Sequence, residues 1–312
     1  MQVTLIHNAK AGAGVERVDV AALADLIRAE GHTLRMQPLD EGWELALERP
    51  ADLVAILGGD GTVGQVARRM IGRGVPLAAL AAGTANNIAM TLGTEHISAA
   101  TQVKGWARPR RLPFDACRAH GPWGRDHLLE GLGCGLFAWG MRTGDGQAHA
   151  GDRGPTEKLV AKLAMLSERV SAHPTTRIDA ALDGEDLSGD YVLLEAMNTQ
   201  FIGPNLFLAP HGRSGDGLLD VVTVDDAARA QFREQLASWR RGALRPAQWP
   251  SRQGKHLTLR WTGFPLHLDD RTWPEESDDD ARSADATTIE LCMEPGVLEF
   301  LVPADTEHPP VP

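Results

Sequence analysis

Leu53-Val54-Ala55-Ile56-Leu57-Gly58-Gly59-Asp60-Gly61-Thr62 is the stretch that decides the fold. Five apolar residues run without a polar break, as in a strand covered on both faces of a parallel sheet, and a glycine turn then opens a helical segment, Val63 to Ile71. In an open α/β sheet, ligands bind at such a strand-to-helix edge. Glycines let the backbone approach a phosphate with no Cβ in the way, and the free N–H groups of the turn and helix start supply partial positive charge. Thr62 stands where it would cap the helix. Asp60 would repel a phosphate directly, so it makes chemical sense if a divalent cation stands between them. The plainer alternative is a tight turn stabilised by its own aspartate.

The pattern repeats on both sides. Val3 to Ile6 reads as a first strand, followed by the Gly/Ala loop Asn8 to Gly14 with Lys10, and by a helix over Val18 to Ala29 ended by Gly31. Thr33 to Pro38 reads as a second strand. Val75 to Ala82 is another apolar run, ending in Gly83-Thr84-Ala85-Asn86-Asn87 before a helical segment, Asn87 to Leu92. Two such turns side by side would make one phosphate cradle. Arg17 stands where a dinucleotide fingerprint starting at Gly12 needs its third glycine, and no G-K-[ST] occurs, so a Rossmann dehydrogenase and a P-loop kinase are both disfavoured.

After Arg108-Pro109-Arg110-Arg111 the texture changes to short alternating runs broken by Gly and Asp, such as Arg177 to Leu182 and Tyr191 to Ala196 around Asp183-Gly184, a hairpin signal. The expectation is an α/β domain over 1–111 and a β-rich domain over 112–312. Two helices interrupt the second, Glu157 to Val170 and Ala227 to Arg241, and the final run Val297 to Val302 fits either domain.

The composition bounds the rest. The 312 residues carry 31 Lys and Arg against 42 Asp and Glu, a net charge of −11, which argues against nucleic acid as a partner. Cys117, Cys134 and Cys292 lack C-x-x-C spacing and read as reduced thiols of a cytoplasmic protein. No signal peptide or 18-residue apolar run is evident, so membrane contact is expected to be peripheral. Asp226 to Arg260 holds eight basic and two acidic residues with Trp239 and Trp249 interleaved, which suits either an anionic membrane or an ordinary surface helix with Trp239 packed inward. Gly212-Arg213-Ser214-Gly215 falls one residue short of a nucleophile elbow, and no H-E-x-x-H pair occurs, so serine hydrolase and zinc chemistry have no support.

In order along the chain, Gly58-Gly59-Asp60-Gly61-Thr62, Gly83-Thr84-Ala85-Asn86-Asn87, Glu130-Gly131-Leu132-Gly133-Cys134-Gly135, Asn198 with Leu208-Ala209-Pro210, and Asp216-Gly217-Leu218-Leu219-Asp220 resemble the motifs of the diacylglycerol kinase catalytic-domain family, which includes bacterial lipid kinases and sphingosine kinases, with NAD kinases more distant. The resemblance implies an N-terminal open α/β nucleotide-binding domain, a β-rich, sandwich-like C-terminal domain, and transfer of a phosphate from ATP with Mg²⁺ to a lipid alcohol such as diacylglycerol. It implies nucleotide contacts from Asn8, Lys10, Gly58, Gly59, Gly61, Thr62, Gly83, Thr84, Asn86 and Asn87. Asp60 would direct the metal, Asp269 would act as the base, and Asp216 and Asp220 would hold a structural cation. A homodimer is compatible with it.

Two positions depart from the family pattern. Its second motif usually ends in an aspartate where this chain has Asn87, and the family's D-G-E aligns with Asp269-Asp270-Arg271, placing a cation where the last carboxylate would be. Asp183-Gly184-Glu185 reads as a hairpin turn, and the acidic run Glu275 to Asp280 as a solvated insertion. The departures keep two alternatives open: a nucleotide-binding sensor that has lost transfer, and a kinase of a soluble acceptor such as NAD.

Overall fold

The computed structural model describes residues 1–8, 18–143, 154–242, 251–274 and 286–306. In the first half, strands β1 (Gln2–His7), β2 (Thr33–Pro38), β3 (Leu53–Gly58) and β4 (Leu77–Ala81) pair in parallel in the order β4-β3-β1-β2. Leu53 to Gly58 are buried throughout, as the unbroken apolar run requires. Helices Val20–Ala29 and Asp60–Met70 cover the sheet. Asp19 starts the first helix by accepting from the Ala21 and Ala22 amides, and Leu23, Ala24 and Ile27 form its buried stripe.

The second half is strand-rich: β5 (Pro109–Gly121), β6 (Gly124–Leu128), β7 (Gly131–Gly135), β8 (Thr176–Leu182), β9 (Glu185–Asp186), β10 (Gly189–Met197), β11 (Phe201–Ile202), β12 (Leu206–Phe207), β13 (Leu219–Asp225), β14 (Ser251–Gly254), β15 (His256–Trp261), β16 (Leu266–Leu268), β17 (Arg271–Trp273) and β18 (Thr287–Pro303). The Asp183-Gly184 turn closes a hairpin in which Leu182 faces Glu185, with both turn residues at positive φ, 51° and 85°. Asp183-Gly184-Glu185 is therefore a turn, as its setting between alternating runs predicts.

One strand joins the two halves. The 17 residues of β18 run antiparallel to β5 along its length and to β15 at one end; at the other, Phe300 pairs in parallel with Leu77 of β4. The run 297–302 thus adds to the first sheet while its own beginning belongs to the second.

Helices Pro155–Arg169 and Arg229–Arg240 pack on the β-rich half. Arg229 donates to the carbonyls of Val170 and His173 and pins the two helices together. Trp239 is 4% exposed beside Phe232 and Leu236, which is the inward-packed alternative; Trp249 and the run Glu275 to Asp280 lie outside the described residues. Arg233, Arg240 and Arg241 stay exposed. All three cysteines are free thiols, and burial pushes the pKa values of Cys117 and Cys134 up. No helix among the described residues is long and apolar enough to cross a membrane.

Candidate active site

The two glycine turns meet at the ends of β3 and β4. A Cβ built on Gly59 would stand 2.9 Å from the Gly83 Cα, and one on Gly83 would collide with the Gly59 Cα, so the turns touch backbone to backbone. Asn86 holds its turn shut: at φ 60°, its Oδ1 accepts from the Gly83 amide at 2.8 Å and its Nδ2 donates to the Gly83 carbonyl. Asn8, at the end of β1, donates from Nδ2 to Thr62 Oγ1 at 3.3 Å. Asn8, Gly58, Gly59, Gly61, Thr62, Gly83, Thr84 and Asn86 therefore gather at one sheet edge; Lys10 lies outside the described residues.

Thr62 does not cap the helix. Gly59 is extended (φ −91°, ψ −175°) and serves as N-cap, so the helix starts at Asp60 and Thr62 lies in its first turn. The Asp60 carboxylate instead accepts the Ile88 amide at 3.0 Å, at the start of helix Asn87–Thr91. Burial raises its pKa against the lowering effect of the Ile88, Asn87 and Asn86 amides.

Asn87 turns away from the glycine cradle. Its Nδ2 donates to Glu130 Oε2 at 3.0 Å and to the Gly203 carbonyl at 3.1 Å. Glu130 is 6% exposed, and burial, then the charges of Asp60 and Asp269, push its pKa well up. Sequence reasoning missed it, although it is the acid at the head of the quoted glycine-rich stretch.

Asp269 does not have the free lone pairs of a general base. Its carboxylate accepts from the amides of Leu129, Glu130 and Gly131 at 2.9–3.2 Å and from Arg68 at 2.8 Å. Burial raises its pKa, and Arg68 and the three amides oppose the rise. These donors make it a clamp between helix Asp60–Met70 and the β-rich half, a load that a base would have to shed in part before it could take a proton. Asp270 is exposed and reaches over Gly61, where a Cβ would lie 2.5 Å from its Oδ2. Arg271 pairs with Asp126, while the next residue, Thr272, lines the cavity.

That cavity, of about 420 Å³, is lined by Asp60, Gly61, Asn87, Glu130, Asp269 and Asp270, and by Phe137, Met141, Met165, Leu166, Ile202 and Pro204 with Lys162 among them. His267 also lines it, buried against Glu195 with Nε2 to Oε2 at 2.7 Å. Gly133 leaves the space that the Glu195 carboxylate fills. Asp216 and Asp220 lie outside it. Asp220 accepts from Ser251 and Gln253, and burial lifts its pKa to about 6. No group of three His, Cys, Asp or Glu able to hold a metal occurs among the described residues.

An α/β half with two facing glycine turns, continued through one shared strand into a β-rich half, is the architecture of a diacylglycerol kinase-like protein. Residues 2–119 match the diacylglycerol kinase catalytic domain and residues 152–298 the YegS C-terminal NAD kinase β-sandwich-like domain. The α/β half thus belongs to the diacylglycerol kinase catalytic-domain family. Curated diacylglycerol kinases from two strains of Mycobacterium tuberculosis, CDC 1551 / Oshkosh and ATCC 25618 / H37Rv, are each 28% identical over 192 residues. Each alignment covers 60% of this chain and 59% of the relative, so the match spans about three-fifths of the relatives' length. A crystal structure of a diacylglycerol kinase from Bacillus anthracis str. Sterne superposes with a TM-score of 0.70 at 20% identity over 96% of both chains. A second structure from the same organism gives 0.74 at 20% identity over 98% of both. This likeness establishes the fold.

Proposed function

We propose that the protein is an ATP-dependent lipid kinase that passes the terminal phosphate to the hydroxyl of a lipid alcohol, diacylglycerol being the first candidate. The observation that carries this reading is one cavity lined both by carboxylates beside a glycine turn and by apolar side chains. An amphiphilic alcohol fits such a space with its hydroxyl toward the acids and its chain along Phe137, Met165 and Leu166.

The residues present fit a nucleotide with Mg²⁺. Two turns without side chains between them leave room for phosphate oxygens, and the start of helix Asp60–Met70 offers amides to them. Mg²⁺ commonly takes one or two carboxylates and completes its shell with phosphate and water, which suits Asp60 and does not need three protein ligands. The metal would neutralise charge on the transferred group. Gly58, Gly59, Gly61, Gly83 and Thr84 would position the phosphates, with Asn8 steadying Thr62 and Asn86 holding its turn. A structural cation at Asp216 and Asp220 would use Asp220 Oδ2, because Oδ1 accepts from Ser251 and Gln253. Arg233, Arg240 and Arg241 would meet an anionic membrane surface.

A second reading, a nucleotide-binding regulator without transfer, draws on Asp269 being saturated by donors. One assay separates the two: transfer of γ-labelled phosphate from ATP with Mg²⁺ to lipid alcohols in mixed micelles, with Asp60→Ala as the blank. Label that appears in lipid and vanishes in the variant supports the kinase. Nucleotide binding without label in any alcohol supports the regulator, and label in NAD alone identifies a soluble acceptor.

A further inference from the structure

Four carboxylates line the cavity, and their other partners differ. Asp269 is engaged by three amides and Arg68, Asp60 accepts the Ile88 amide, and Asp270 stands exposed above Gly61. Glu130 alone combines burial with a light load, its carboxylate taking a side-chain hydrogen bond from Asn87. Its main chain is fixed on both sides: its amide donates to Asp269 Oδ1 at 2.9 Å, and its carbonyl accepts the Asn198 amide at 2.8 Å. Asn87 in turn is oriented by the Gly203 carbonyl, which leaves its Nδ2 to Glu130 and its buried Oδ1 without a partner among the described residues.

We propose that Glu130, oriented by Asn87, accepts the proton of the acceptor hydroxyl. The inference rests on the kinase reading and adds its base. Position 87 carries an amide where the family usually has an acid, and the carboxylate now enters from the residue before β7, 3.0 Å away. The same residue makes up for Arg271, which pairs with Asp126 outside the cavity. In the step, the acceptor's O–H bond breaks as its oxygen bonds to the terminal phosphorus of the nucleoside triphosphate. The proton passes to a Glu130 carboxylate oxygen, and the electron pair of the broken P–O bond leaves with the nucleoside diphosphate. Asn87 is a positioning residue: it presents the carboxylate and does not touch the acceptor.

The test compares Glu130→Gln, which keeps the volume and can still accept from Asn87, with Asp270→Asn. A positioned base contributes roughly 10² to 10⁴ in rate, so Glu130→Gln should lower kcat by that range, with KM values and affinity for a non-transferable ATP analogue within about threefold. The loss should shrink when fluorines beside the acceptor hydroxyl make it more acidic, an effect that a purely structural Glu130 would not produce. Unchanged kcat in Glu130→Gln, or the large loss falling on Asp270→Asn instead, overturns the proposal while leaving the kinase reading intact. No transfer by the wild type overturns the kinase reading itself. Independently of turnover, the ¹³C carboxyl resonance that Glu130→Gln deletes should shift when the non-transferable analogue binds; an unmoved resonance puts Glu130 away from the phosphates and overturns the proposal. If Glu130→Gln melts at a lower temperature than the wild type, Glu130→Asp decides: a shortened carboxylate should restore part of the kcat lost in Glu130→Gln, and a kcat no higher than that of Glu130→Gln at equal stability overturns the proposal.

Discussion

The guanidinium of Arg68 lies 2.8 Å from the carboxylate of Asp269, with the side chains 16% and 4% exposed, and 201 residues separate them in sequence. The pair ties the helix that follows the first glycine turn to the loop after β16, and its carboxylate lines the cavity. Removing one partner of a buried pair strands the other. Arg68→Met should therefore destabilise the fold by about 2–3 kcal/mol in urea unfolding, somewhat below the usual cost because Arg68 keeps some water. Asp269→Ala should cost more, since three amides lose their acceptor as well. If Asp269→Asn lowers kcat by two orders of magnitude with stability intact, Asp269 has a chemical role that its hydrogen bonds argue against.

Gly83→Ala should abolish the cradle. The new methyl would enter the Gly59 backbone, which has no side chain to give way, so one turn must move. Affinity for an ATP analogue should fall by at least tenfold in calorimetric titration, because the amides aimed at the phosphates depend on both turns. Affinity within a factor of two of wild type would mean that the nucleotide does not sit between them.

What could be read from the sequence was whatever local order encodes. The buried run Leu53 to Leu57, the glycine turns at 58–61 and 83, and the Asp183-Gly184 hairpin each rest on neighbours in the chain, and the fold follows from them. The roles of the acids do not. Asp269 finds its donors at Leu129 to Gly131 and Arg68, and Glu130 finds Asn87, only after the two halves close. Arg271 shows the limit in one residue. Its place beside Asp269 suggested a cation in the site, but strand alternation in β17 sends Arg271 to Asp126 and Thr272 to the cavity. Thr62 failed as a cap because an extended glycine let the helix begin three residues earlier.

His173 should make the fold acid-sensitive. It is buried just after helix Pro155–Arg169, its ring tilted on Trp139 of helix Leu136–Arg142, and burial followed by the charges of Arg169 and Arg229 lowers its pKa from 6.5 to about 4. The folded state therefore refuses a proton that the unfolded chain accepts below pH 6.5, so the stability from neutral His173 is complete above that pH and is lost as pH falls toward 4. At pH 5 the loss amounts to about 2 kcal/mol relative to pH 7.5. Urea unfolding at the two pH values should show His173→Gln, which does not titrate, losing correspondingly less than the wild type; equal losses would remove His173 as the cause.

Restoring the family's usual acids, Asn87→Asp with Arg271→Glu, looks from the sequence like a repair. The structure predicts damage. The new acid at 87 would stand about 3 Å from the Glu130 carboxylate in place of a hydrogen bond, and two buried carboxylates at that distance cannot both ionise. One must hold a proton, so its pKa in the folded state rises, and the penalty grows as pH climbs from 5 to 8. A cost on the order of 2 kcal/mol at pH 8, smaller at pH 5, follows from a lost hydrogen bond and a charge held neutral. At 271 the new acid would meet Asp126 where Arg271 now pairs with it, and strand alternation would keep it out of the cavity. The double variant should thus be less stable and no faster in phosphate transfer than the wild type. Asn87→Asp with Glu130→Gln, which exchanges acid and amide across the same contact at unchanged side-chain lengths, should recover the part of the loss that comes from the facing carboxylates, while the bond to the Gly203 carbonyl stays lost. A gain in transfer by Asn87→Asp with Arg271→Glu would mean that the site takes its carboxylates from those two positions and that the Glu130 contact is incidental.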